Sequence, residues 1–318
     1  MRKRVLTLLL VLSMVLTACG AETNTTENGE KLTVVTSFYP IYLLAQEVVS
    51  GAEGVELKNM AQPQTGCLHD YELTISDMKL LEGADVLIIN GGGMESFLDQ
   101  ALERYPDLVI VDTSTGIALL EEEEHHHHED ETEEEHAAHA GHEHDHEGNP
   151  HIWLSPERAA KQVENISAAL GQLDTADAEI FEHNTAAFCQ EAEGLLEKAH
   201  AIGIPEEEHS AVFHEGFAYF AELFHMENVF GIFADEYQMP SAMELTEATD
   251  EAKRHHIHFF LTADDNGKIY AETLAKEVDE TIVLLDPLTT ADAENLSYME
   301  RMQKNIETVE KHWKEVTE

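Results

Sequence analysis

The sequence predicts an α/β fold of two domains, each with a mostly parallel sheet flanked by helices, joined by a long rigid linker helix. Three observations carry that prediction. Short β-branched apolar runs alternate with segments of helical period, the pattern of βαβ units rather than of hairpins. The alternation occurs once in each half, and a chain of 318 residues with 43% hydrophobic content can supply a core to both. Between the two sets, residues 177–201 place Phe181, Phe188, Ala192, Leu195 and Ala199 on one face of a single helix, roughly 37 Å long at 1.5 Å per residue. Period alone leaves two roles for it, a brace for both domains or a peripheral helix of one.

In chain order, Arg2, Lys3 and Arg4 precede an apolar run, residues 5–18, that is too short to span a bilayer but suits the h-region of a secretory signal. Residues 1–18 are therefore expected to be a signal peptide. Leu16-Thr17-Ala18-Cys19 resembles the lipobox of bacterial lipoproteins, which implies a lipid on Cys19 and a flexible tether over residues 19–31. An N-terminal domain, residues 32–176, follows, with strands at 32–36, 55–60, 85–90 and 108–112. Pro40 and Pro156 suit first-turn helix positions, and Ser76 and Ser155 suit N-caps. The C-terminal domain, residues 202–318, offers strands at 211–213, 228–233, 257–262 and 281–285. Cys67 and Cys189, the cysteines left after Cys19, are too few for a disulfide framework.

Residues 121–148 break the pattern. They hold thirteen acidic residues, no Lys or Arg, and nine histidines: His125, His126, His127, His128, His136, His139, His142, His144 and His146. With no apolar period the segment reads as a solvated, disordered loop in the first domain. Neutral imidazole suits zinc, copper and nickel, so these histidines are candidate loose metal sites; a low-complexity insertion and a tag at His125–His128 are the bland alternatives. The whole chain has 18 Lys+Arg against 64 Asp+Glu, a net charge of −46. That excludes an electrostatic binder of nucleic acid. Twenty histidines among so many carboxylates point to cations instead.

In open α/β sheets ligands bind beyond the carboxyl ends of the strands. Four metal-competent side chains fall there: His69 after the 55–60 strand, His151 after the acidic loop, His214 after 211–213, and Asp286 after 281–285. Two come from each half, so a cleft between the domains would gather all four.

Several motifs resemble one family. Gly66-Cys67-Leu68-His69-Asp70-Tyr71-Glu72-Leu73 with Ser76-Asp77, Asn90-Gly91-Gly92-Gly93-Met94-Glu95, Asn149-Pro150-His151-Ile152-Trp153-Leu154-Ser155-Pro156, Val212-Phe213-His214 and Asp286-Pro287-Leu288 are similar, in order and spacing, to signatures of cluster A-I solute-binding proteins. These are the zinc- and manganese-binding components of bacterial ABC importers. The resemblance implies that His69, His151 and His214 bind the metal in a cleft between two domains joined by a rigid helix. It also implies an extracytoplasmic protein on the outer face of the cytoplasmic membrane, working as a monomer with an ABC permease and its cytoplasmic ATPase. Leu68 replaces the family's usual Pro, and Asn149 and Ser155 replace common Asp residues, changes expected to alter loop stiffness more than ligation. A Glu that many members carry near Leu261-Thr262-Ala263-Asp264 is missing, so the fourth ligand is assigned to Asp286, with Glu215 or water as alternatives. Cys67 as a thiolate ligand is a further alternative.

Three imidazoles and a carboxylate form a tetrahedral zinc set, whereas manganese prefers more oxygen, so Zn(II) is the expected cargo and manganese the alternative. Three histidines with an open position also suit a zinc hydrolase, but the chain lacks His-Glu-x-x-His and is expected not to be an enzyme. A surface metal buffer or adhesin is the remaining rival.

Overall fold

The computed structural model describes residues 31–61, 71–121, 148–233, 239–291 and 293–318. The expected signal peptide, Cys19 and most of the tether, Cys67 and His69, and the nine histidines of the acidic loop lie outside the described residues.

The first half contains β1 (Leu32–Thr36), α1 (Tyr39–Val49), β2 (Val55–Asn59), α2 (Ile75–Glu82), β3 (Val86–Ile89), α3 (Asp99–Leu102) and β4 (Val109–Asp112). Its four strands form a parallel sheet in the order β2-β1-β3-β4. Two long helices, α4 (Pro156–Leu173) and α5 (Ala178–Ala201), lead to the second half. There β5 (His209–Val212), α6 (Phe217–Leu223), β6 (Glu227–Gly231), α7 (Ala242–His255), β7 (Phe259–Thr262), α8 (Lys268–Glu277) and β8 (Ile282–Leu284) precede α9 (Tyr298–Thr317). The second sheet is also parallel, in the equivalent order β6-β5-β7-β8. Each expected strand is present with its ends moved by a few residues. All four residues of β7 are buried, as befits a parallel strand covered on both faces.

The strand order reverses between β1 and β3 and again between β5 and β7, so each sheet has a crevice at its carboxyl edge where a ligand can be met by loops. One continuous apolar cluster runs from Val34 and Ile41 through Phe181 and Phe188 to Val212, Leu285 and Val309, so the halves share a core. Helix α5 buries Phe181, Phe188, Ala192, Leu195 and Ala199. It packs on α1 and α4 from the first half and on α6 and α9 from the second. Polar contacts support both ends: Asn184 Nδ2 donates to the carbonyls of Val48 and Ser50 at 3.0 and 2.8 Å, and Lys198 Nζ to Gln303 Oε1 at 3.0 Å.

Pro40 and Pro156 occupy first-turn positions, and Ser155 caps α4 by accepting from the Arg158 amide. Ser76 does not cap α2. Thr74 does: its hydroxyl accepts from the Asp77 amide at 3.3 Å while Asp77 Oδ2 accepts from the Thr74 amide at 2.7 Å. The reason is reciprocity, because capping from Ser76 would put Lys79 at the third helical position, where no carboxylate returns the bond.

Candidate metal centre

His151 lies in a buried turn between the neck of the acidic loop and α4, and is 2% exposed. Its position is set from two sides. The carbonyl of Pro150 accepts from Asn90 Nδ2 at 2.8 Å. Asn90, at the end of β3, is held in turn by Gln162 Nε2 on its Oδ1 at 3.1 Å and by Thr113 Oγ1 on its carbonyl at 2.9 Å. On the other side Trp153, 1% exposed, donates from Nε1 to the Pro287 carbonyl at 3.0 Å, and Tyr298 Oη donates to the Trp153 carbonyl at 2.8 Å. The His-x-Trp spacing therefore docks the histidine turn onto the Asp286-Pro287 segment of the second half.

Glu95 anchors the same corner. Its carboxylate accepts from Ser37 Oγ at 2.6 Å and from the amides of Asn90 and Gly91 at 2.7 and 3.0 Å. Burial nevertheless pushes its pKa up to about 7, against those three donors.

Asn149 contacts His151 directly. Its Oδ1 accepts from the His151 amide at 3.0 Å and lies 3.0 Å from His151 Nδ1, while its Nδ2 donates to the Glu215 carbonyl at 2.9 Å. It touches a candidate ligand on one side and the turn carrying another on the other.

His214 directly follows β5 and is 8% exposed. Burial lowers its proton affinity and so favours the neutral ring, an effect partly offset by the charge of Asp265. Its Nδ1 accepts from the Gly216 amide at 3.2 Å. The rings of His151 and His214 lie 5.4 Å apart, centre to centre, at 77°. With Zn–N near 2.0–2.1 Å and tetrahedral angles, two imidazoles on one ion have centres about 5 Å apart. The observed ring spacing is of that order.

Gly216 makes that approach possible. A Cβ there would stand 2.5 Å from Leu154 Cδ1 and 3.0 Å from His151 Cβ. Neither Gly216 nor Asp265 was picked out by sequence reasoning. The signal for Gly216 was its place two residues after His214, and for Asp265 its place just past β7, at the same edge of the sheet.

Asp286 follows β8, and its carboxylate is bound two-fold by Arg301, Nε to Oδ2 and Nη2 to Oδ1, both at 2.6 Å. Asn305 fixes its backbone, accepting from the Asp286 amide at 2.9 Å and donating to its carbonyl at 2.8 Å. The Glu215 carboxylate stands 3.8 Å from His151 Nδ1, on the same ring nitrogen that faces Asn149. Among the described residues no three His, Cys, Asp or Glu side chains converge closely enough to hold an ion. The structure brings together His151 and His214, leaves Asp286 on Arg301, and does not describe His69. A groove of about 620 Å³ opens beside Asn149 and Glu215 and is lined also by Glu121, Glu206, Glu222 and Glu227, carboxylates that make its field attractive to cations.

Comparison with known proteins gives a consistent picture. A family model described as ZnuA, zinc-uptake complex component A, periplasmic, matches residues 34–312. The chain is 29% identical over 317 residues to the zinc-binding lipoprotein AdcA of Streptococcus pneumoniae, covering 97% of this chain but 60% of that one, so it spans about three-fifths of that relative's length. It is 29% identical over 308 residues to the high-affinity zinc uptake system protein ZnuA of Bacillus subtilis, with 93% of each covered. Among solved structures, a Zn(II)-bound variant of AdcAII from Streptococcus pneumoniae superposes with a TM-score of 0.72 at 25% identity, covering 89% of this chain and 99% of that one.

Proposed function

The chain belongs to the zinc-uptake complex component A family, and from that membership we propose that it captures Zn(II) outside the cytoplasm and delivers it to an ABC permease for import. The observation that carries the reading is the approach of His151 and His214, two buried imidazoles from opposite halves whose ring centres are 5.4 Å apart. In this reading both bind the ion through Nε2, His69 supplies the third imidazole, and Asp286 supplies the fourth donor through a carboxylate lone pair that Arg301 leaves unused. Three nitrogens and one oxygen favour zinc over manganese.

The remaining parts follow the same reading. A diacylglycerol on Cys19 gives two acyl chains, enough to hold the protein at the outer face of the cytoplasmic membrane. The histidines of residues 121–148 raise the local zinc concentration near the cleft. The 177–201 helix joins domains 32–176 and 202–318 and, together with the shared apolar core, supports small loop and helix shifts on binding rather than wide hinge closure. The loaded monomer then docks on a permease driven by its cytoplasmic ATPase.

The test is zinc binding by competition with a chelator in protein beginning after Cys19. His214→Ala and His151→Ala are each expected to lose tight binding while remaining folded. Full affinity in either variant reassigns that ligand.

A further inference from the structure

We propose that Asn149 is the positioning residue that presets the cation site: its side-chain carbonyl holds His151 in the tautomer whose lone pair is on Nε2, and its amide nitrogen ties that ring to the His214 turn. The proposal rests on the reading of His151 as a ligand.

The orientation of the Asn149 side chain is fixed by its surroundings. It is 3% exposed, so leaving its polar atoms mispaired is costly. One end meets the His151 backbone N–H, which can only donate; the other meets the Glu215 carbonyl, which can only accept. A flipped amide would set donor against donor and acceptor against acceptor, so Oδ1 is the atom facing His151. His151 Nδ1 lies 3.0 Å from that oxygen. An oxygen without a hydrogen has to be met by a protonated nitrogen, which leaves the lone pair of the neutral ring on Nε2.

Asn149 is itself fixed by its backbone. Its N–H donates to the Leu120 carbonyl at 2.8 Å, and its carbonyl accepts from Tyr219 Oη at 2.5 Å. One residue therefore joins the neck of the acidic loop, one candidate ligand and the turn bearing the other. His214 is arranged the opposite way, since its Nδ1 accepts from the Gly216 amide. His151 is the ring prepared in advance, and His214 has to give up that contact to bind through Nε2. An aspartate at position 149 would keep the acceptor for His151 but lose the donor to Glu215, so acceptor and bridge are separable by substitution.

The experiment is a double-mutant cycle on zinc affinity, measured by chelator competition in the wild type, Asn149→Ala, His151→Ala and the double variant. Loss of a group that orients a ligand typically weakens metal binding by about 10–100-fold, the result expected for Asn149→Ala in the wild-type background, with no further loss once His151 is alanine. Asn149→Asp is expected to retain affinity within about tenfold of the wild type, because the acceptor remains. An equal loss from Asn149→Ala in both backgrounds, or no loss in either, overturns the positioning role while leaving His151 as a ligand. Full affinity in His151→Ala overturns the ligand reading and the positioning role with it. Should the Asn149 variants fail to fold, nitrogen NMR of the zinc-free wild type decides: a protonated Nδ1 on His151 is expected, and a bare Nδ1 overturns the proposal.

Discussion

At Gly216 a single hydrogen stands where a methyl group would press on Leu154 and His151. Gly216→Ala is expected to cost about 1–3 kcal/mol as an overpacked site and to weaken zinc binding by pushing the two histidine turns apart. Denaturation and chelator competition on the same preparation check both, and a folded variant with unchanged affinity contradicts the account. Glu95 gives a second prediction. Its folded pKa of about 7 lies above the ordinary glutamate value, so its contribution is full at low pH and is lost as pH rises through 7. Between pH 5 and 8.5 that loss amounts to about 2–3 kcal/mol. Glu95→Gln lacks the titration, so the stability gap between wild type and variant should move in the variant's favour by that amount over this range; a gap independent of pH refutes it. His151 and His214 stood out in the sequence only by their shared place beyond the carboxyl ends of the sheets, and the structure brings those two rings together. Gly216, Asp265 and the contacts of Asn149 were not legible, since a sequence does not say which backbones approach or which acid lies near which ring.

Among the elements, strands were the most legible. Their apolar runs are continuous, most clearly in the central strand β7, which is buried on both faces, and every expected strand recurs in the structure. The start of α2 shows where local reading stops. Ser76 looked like a cap by type, but the bonded pair is Thr74 with Asp77. Thr74→Ala is accordingly expected to cost about 1 kcal/mol of stability, while Ser76→Ala leaves it nearly unchanged; the reverse order in urea titrations refutes the assignment. Helix α5 had a clear apolar stripe, yet its period could not say what the stripe touches. In the structure Phe188 packs against Tyr298 of α9 with ring centres 5.3 Å apart while the same helix lies on α1 and α4. Phe188→Ala is expected to destabilise by about 3–5 kcal/mol. Because the core is shared, the unfolding transition should shift as a whole rather than split in two.

For the whole molecule, the repeated strand order places two equivalent crevices at the carboxyl edges of the sheets, and the shared core fixes them relative to each other. The net charge of −46 then has two parts. Thirteen of the acidic residues fall within residues 121–148 with nine histidines, and most of the others lie at the surface, where they give a general attraction for cations. In the proposed function, selection falls to the uncharged rings of the cleft. The loop is separable from them in principle, because its neck is pinned: the Asn149 amide donates to the Leu120 carbonyl at 2.8 Å, and Tyr219 Oη accepts from the Leu120 amide at 3.1 Å. Replacing residues 122–147 by a short Gly-Ser link is therefore expected to leave His151 in place. Titration of that loop-deleted protein with zinc tests the central claim most directly. One tight site per chain, unchanged from the full protein, with the weaker sites gone, is the result predicted; loss of the tight site together with the loop would contradict it.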